Sequence, residues 1–116
     1  PPAAFTLAAS GYGQGTLCGA LGVASVCIGM VTDQDTSKQL VRELFNWYKG
    51  AEFPIYQPEM ELVHTVAETT LCDDSVGNYM TAEGVEYGDI KRKSRCAGVS
   101  ADVVRKTIEI LNEHFA

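Results

Sequence analysis

The side chains able to do chemistry are four cysteines, Cys18, Cys27, Cys72 and Cys96, separated by 9, 45 and 24 positions. Two of them lie in GYGQGTLCGALGVASVCIG, residues Gly11 to Gly29, a stretch with no charged side chain. Thiols serve as disulfide partners, as ligands to soft metals or as small buried apolar groups. The spacings contain no CxxC, which removes a zinc ribbon and a thioredoxin-type motif. No CxxCH occurs either, so covalent c-type haem attachment within this chain is excluded.

What the thiols can do depends on the elements that carry them. Residues Thr16 to Val31 read as a helix rich in small residues, Gly19, Ala20, Gly22, Ala24 and Ser25, which let another backbone approach. Glycine costs a helix roughly 1 kcal/mol per position relative to alanine, so packing on several sides must compensate and the helix is expected to be central and buried. Along it, the step from Cys18 to Cys27 amounts to about 900° of rotation and ~13.5 Å of rise. The two sulfurs then face opposite ways and cannot form a disulfide, which needs Cα atoms within ~7 Å.

The clearest helix follows, with Thr36 and Gln39 at capping-box spacing, Leu40, Val41, Leu44, Phe45 and Tyr48 on one face, and Gly50 as its stop. Pro54 and Pro58 make Ala51 to Glu68 an extended linker. A shorter helix is predicted from Thr70 to about Ala82, with Asp73 and Asp74 in its first turn and Gly84 ending it. Tyr87 to Arg95 reads as one or two helical turns. Ser100 then caps a last helix, with Asp102 in its first turn and Val104, Ile108, Leu111 and Phe115 as its apolar stripe. With four helices, no strand and no repeat, the class is all-α: one domain over residues 1–116, a small bundle completed by further chain or by partner copies.

On that layout Cys18 and Cys72 each follow a threonine cap by two residues, and Cys96 precedes Ser100 by four. Three thiols thus stand where helices begin, where free N–H groups and the dipole favour anionic sulfur and can donate to the sulfides of a metal cluster. Cys27 stands in mid-helix between Val26 and Ile28 and reads as a small buried hydrophobe.

The composition bounds the partners. The 116 residues are 46% hydrophobic and 21% charged, ordinary globular usage. Nine basic against 15 acidic residues give a net charge of −6, which argues against a nucleic-acid backbone as partner. All the charges lie from Asp33 onward. The uncharged N-terminal quarter lacks the basic leader of a signal peptide, and its apolar run, Leu17 to Val31, falls short of the ~20 residues of a membrane span. The opening Pro1–Pro2, without methionine, reads as a processed or trimmed product.

Three segments together carry a family resemblance: SGYGQGTLCGALGVA, then a cysteine opening a helix in TTLCDDSVGNYM, then RCAGVSADVVRKTIEILNEHF. They resemble the redox-active protein family named for its C…CGAxxG…C…C pattern, and within it the C-terminal part of the split-Soret cytochromes. Cys18 matches the cysteine of the CGA motif, Cys72 the third family cysteine and Cys96 the fourth; no residue here matches the first. The resemblance implies an electron-transfer protein of anaerobic prokaryotes, in cytoplasm or periplasm. It implies that Cys18, Cys72 and Cys96 hold an iron–sulfur cluster, with a four-iron four-sulfur core favoured over a two-iron two-sulfur one. It also implies a homo-oligomer, a dimer first, and a redox partner protein. Three thiolates leave one iron position of a four-iron core open to Cys27 after a helix distortion, to a residue of missing sequence or of another chain, or to a small ligand.

Other readings attach to particular residues. GYGQG invites phosphate binding, but no strand precedes it and Thr16 stands where the third glycine of a dinucleotide fingerprint belongs. His64 could complete a Cys3His zinc site in a thiol or zinc module that serves structure or interaction, or could serve as an axial ligand to a haem held elsewhere. His114 suits the last turn of its helix. Lys91, Arg92, Lys93 and Arg95 read as a solvated face, or as positive charge that favours the reduced form of a centre at Cys96 and orients an acidic redox partner. Asp73 and Asp74 complement a helix N-terminus. A last alternative is a fragment of a split-Soret-type haem protein.

Overall fold

Apolar residues recurring at helical spacing after Asp33 produce the expected amphipathic helix. In the computed structural model, which describes residues 1–116, α2 covers Gln34–Gly50 and buries Leu40, Leu44 and Tyr48. Its cap differs from the expected one. Asp33 is the N-cap, its carboxylate accepting a 2.8 Å hydrogen bond from the Thr36 N–H, so Thr36 already lies inside the first turn.

The helix before it, α1, covers Gly19–Val31 and begins later than the expected Thr16, with Cys18 as its N-cap. It buries Leu21, Ala24 and Ile28 but leaves Val26, Cys27 and Met30 exposed, so only one face of it is central. Gly19 is needed for a close approach: a Cβ there would lie 2.5 Å from the carbonyl oxygen of Ala8, in the short 3-10 segment Pro2–Ala8 that crosses the start of α1.

Between Gly50 and Glu68 the chain is extended, and it also pairs with itself. Glu52–Phe53 (β1) and Thr65–Val66 (β2) form a two-stranded antiparallel ladder, Glu52 opposite Val66 and Phe53 opposite Thr65, where only an extended linker was expected. Phe53 drives the pairing. It is fully buried, edge-on to Trp47 with ring centroids 5.4 Å apart and tilted against Tyr48 at 4.9 Å. The third helix, α3, covers Cys72–Glu83 and ends as expected at Gly84, whose φ of 72° only glycine adopts freely.

The largest departure is at the C-terminus. One helix, α4, runs without a break through Ile90–Phe115, capped by Asp89, whose carboxylate accepts from the Lys91 N–H at 2.8 Å. Ser100 is therefore no cap; its hydroxyl donates to the Cys96 carbonyl at 2.9 Å, a bond to the preceding turn. Asp102 is no first-turn acid either. It is buried, and its two carboxylate oxygens accept the N–H groups of Ile55 (2.7 Å) and Tyr56 (3.0 Å), which ties the proline-rich loop to α4. The core-facing residues of α4 are Val99, Val103 and Ile110, while Val104, Ile108 and Phe115 of the expected stripe are 57, 52 and 61% exposed.

Helices α1, α2 and α4 each touch the other two, and their apolar faces with Phe53 and Ala67 form the core. Helix α3 packs on β2 and on the start of α4. The class is mostly α, as the periodicity requires, and no helix is long and apolar enough to cross a membrane.

Candidate metal centre

The glycines of GYGQG supply a reversal of the chain. Gly11, Gly13 and Gly15 have φ of 59, 77 and 72°, and Ser10 and Tyr12 share this left-handed conformation at 56 and 59°. A left-handed residue other than glycine costs about 1–2 kcal/mol, so the turn is held by what surrounds it. The Thr16 hydroxyl donates to the Gly11 carbonyl at 3.1 Å, and the Ser10 and Tyr87 hydroxyls lie 3.0 Å apart.

The turn sends the chain back along the segment before α3, where Leu17 and Leu71 form an antiparallel bridge. The Cys18 N–H donates to the Thr70 carbonyl at 2.9 Å, and the Cys72 N–H to the Thr16 carbonyl at 2.6 Å. Successive residues in extended pairing face opposite sides, so Cys18 and Cys72, one step beyond Leu17 and Leu71, turn to the same side. There they line a partly open cavity of about 630 Å³ together with Cys27 and Cys96.

Two of the three expected thiols sit at helix starts, Cys18 as the cap of α1 and Cys72 as the first residue of α3. Cys96 does not, because α4 already starts at Ile90; it reaches the cavity from within that helix. Cys27 is exposed rather than buried, and it shares a cavity wall with Ala20, Val23 and Ala24. Cys18 and Cys27 both line this cavity, and they remain unbridged as the helical rise between them requires; Cys18, as the cap, lies half outside the spiral of α1.

The dipole does not rule the Cys72 thiol. Burial pushes it up, a hydrogen bond from Ser10 opposes that, and the neighbouring Cys18, Cys96 and Asp73 push it further up. Tyr48, which also lines the cavity, has its phenol raised by burial and then by Cys18 beside it. Electrostatically, then, Cys72 is a neighbour of both Cys18 and Cys96.

Sequence reasoning missed the polar groups behind the sulfurs. Arg95 is 1% exposed, not part of a solvated face; one nitrogen donates to the Ser75 hydroxyl at 2.7 Å and another stands 3.8 Å from the Cys96 sulfur. Tyr48 donates to the same Ser75 oxygen at 2.9 Å. Of the other basic residues, Lys91 pairs with Glu83 at 3.4 Å and the Arg92 guanidinium lies 4.0 Å over the Tyr87 ring. A signal existed: one helix through Ile90 places Arg95 on the face of Val99, Asp102 and Val103.

No three His, Cys, Asp or Glu side chains are arranged to share a single metal ion. His64 lies in the proline-rich loop, 2.6 Å from the Gln57 amide, and His114 stands against Phe115, so neither histidine lines the cysteine cavity and no Cys3His set forms.

A helical fold that gathers cysteines from three elements around one cavity defines a class. Residues 2–110 match the family described as "Putative redox-active protein (C_GCAxxG_C_C)", and the chain belongs to that family. Among individual proteins, the chain is 30% identical over 105 residues to the split-Soret cytochrome c of Desulfovibrio desulfuricans, an alignment covering 84% of this chain and 38% of the cytochrome. A solved structure of split-Soret cytochrome c from Desulfovibrio desulfuricans, described as containing a novel iron centre, matches 99% of this chain and 51% of its own at 28% identity, with a TM-score of 0.94. The chain thus spans well under two thirds of the relatives it matches.

Proposed function

We propose that this chain is an electron-transfer module in which Cys18, Cys72 and Cys96 hold an iron–sulfur cluster, a four-iron four-sulfur core favoured over a two-iron two-sulfur one. The observation that carries the reading is the convergence of these three thiols, from three separate elements, on one cavity, with Cys72 in the electrostatic field of the other two. The donor chemistry fits. Thiolates select soft metals and iron–sulfur clusters, and a cluster, which brings its own sulfides, needs its protein ligands further apart than a single ion does. When bound, the cluster would store and release one electron. The chain's own residues would hold it: backbone bonds fix Cys18 and Cys72 side by side, α4 presents Cys96, and the apolar walls limit water.

The cytochrome relative and the 38% coverage favour a second reading, in which this module works beside a haem-bearing part of a larger split-Soret-type protein. Both readings have the module pass electrons to a redox partner protein. Pairing of two copies is supported by Val104, Ile108 and Phe115, which leave one side of α4 apolar and exposed.

The test is iron and acid-labile sulfide quantification on anaerobically purified protein, repeated for Cys18→Ser, Cys27→Ser, Cys72→Ser and Cys96→Ser. The expected result is stoichiometric iron and sulfide in the wild type, retained in the Cys27 variant and lost in the other three. A folded wild type free of both elements, or one zinc per chain without sulfide, rejects the proposal.

A further inference from the structure

A guanidinium sits in the wall of the cysteine cavity with no carboxylate paired to it. Arg95 is the bulkiest fully buried side chain of the protein, at 1% exposure. Arginine does not escape burial by losing its proton, and an ionised group taken from water needs a partner of opposite sign. The two ion pairs of the structure, Lys91 with Glu83 and Arg105 with Glu109, do not include it. The buried acid on the same helix face, Asp102, spends both oxygens on the N–H groups of Ile55 and Tyr56.

The contacts Arg95 does make are neutral or sulfurous. One nitrogen donates to Ser75, another faces the Cys96 sulfur, the guanidinium lies 5.7 Å from the centre of the Tyr79 ring, and Nε has no partner. Ser75 holds the guanidinium in place, because its oxygen accepts from both Arg95 and Tyr48. Asp102, two turns further along the helix, lies in the field of Arg95 without pairing with it, so the ionisable groups nearest the guanidinium are the thiols that line the same cavity.

We infer that Arg95 is the internal counter-cation of the redox centre, a positioning residue that neutralises a three-thiolate cluster and holds its reduction potential up. This rests on the function proposed above. Charge counting supports it for either nuclearity. An oxidised two-iron or four-iron core carries two positive charges; three thiolates make the assembly singly negative, and Arg95 makes it neutral. The added electron is then stabilised by the adjacent cation, since nearby charge and hydrogen bonds to sulfur set cluster potentials. The same count disfavours an anionic fourth ligand, which would leave a negative charge unbalanced in an apolar cavity.

The test compares wild type, Arg95→Gln and Arg95→Lys, loaded anaerobically and titrated potentiometrically, with far-ultraviolet circular dichroism of each apo form. Expected is an Arg95→Gln centre whose reduced-to-oxidised ratio at fixed ambient potential falls at least tenfold, a shift of about 59 mV for one electron, while Arg95→Lys stays near wild type. Loading kept by the lysine variant and lost by a folded glutamine variant supports the inference equally. It is overturned if the loaded glutamine variant keeps the wild-type potential, or if its apo form loses helix content, since the cation would then serve the fold. A wild type without iron and sulfide defeats the proposed function itself, so the two failures are distinct.

Discussion

Cys18 and Cys72 are made neighbours by main-chain bonds: the N–H of each donates to the residue two before the other, Cys18 to Thr70 and Cys72 to Thr16. Their side chains are free of that task. Serine at either position should therefore keep the fold while changing the sulfur chemistry, which makes the cysteine series a test of ligation and not of folding.

The Tyr48 hydroxyl is fully buried and donates to Ser75, which Arg95 also holds. Tyr48→Phe removes the bond and leaves Ser75 one partner, so the expected loss is about 1 kcal/mol. Urea denaturation measures it, and an unchanged midpoint would mean the bond contributes nothing.

Tyr12 is 67% exposed and held at φ 59°, so its side chain gives little packing in return for the conformation. Replacement by glycine removes the left-handed penalty and adds back some unfolded-state entropy. A net gain of up to about 1 kcal/mol is expected, seen as a higher melting temperature. A lower one would show that the tyrosine ring is needed where it stands.

Any side chain at Gly19 meets the backbone of Ala8, which has no flexible end to give way. Gly19→Val is expected to lift Pro2–Ala8 off the start of α1. Limited proteolysis would register this as faster cleavage in that segment, and equal rates would contradict the close approach.

Acid should weaken α2 and the contact between α3 and the proline-rich loop. The Thr36 N–H holds Asp33 below its ordinary 3.8, and the Val63 N–H, then Lys91, hold Glu83 below 4.5. Carboxylates depressed in the folded state stabilise it above their unfolded values, and that contribution is lost as pH falls through the folded ones. Melting temperatures of wild type and Asp33→Asn should differ near neutrality and converge in acid. A gap that persists at low pH would locate the effect elsewhere.

Ile108 is 52% exposed on the apolar side of α4. If two copies meet there, Ile108→Lys should shift sedimentation from dimer to monomer without loss of helix content. Identical sedimentation of both proteins would remove α4 from the interface.

Much of the helical layout was legible because it is local. Leu40, Leu44 and Tyr48 declare α2 by period, and Gly84 declares the end of α3 by the one conformation it adopts without cost. Caps were less legible, since Asp33 and Thr36 are both good caps and only geometry chooses between them. Ser100 looked like the cap of a separate last helix. It is not: Gly98 makes room for the Tyr56 carbonyl, 2.5 Å from where its Cβ would stand, and the helix runs on through both.

By itself the sequence determined a mostly helical chain, the family to which three cysteine contexts belong, and which three thiols deserved attention, because period, capping chemistry and motif are properties of neighbouring residues. Only the tertiary structure decided that Cys18 and Cys72 face one side, that Cys27 shares their cavity, and that Arg95 is buried behind Cys96 while the Val104–Phe115 stripe is exposed. Those facts depend on a left-handed turn and on which face of a 26-residue helix meets α1 and α2. Contacts between residues far apart in the chain set that choice, and no local pattern encodes it.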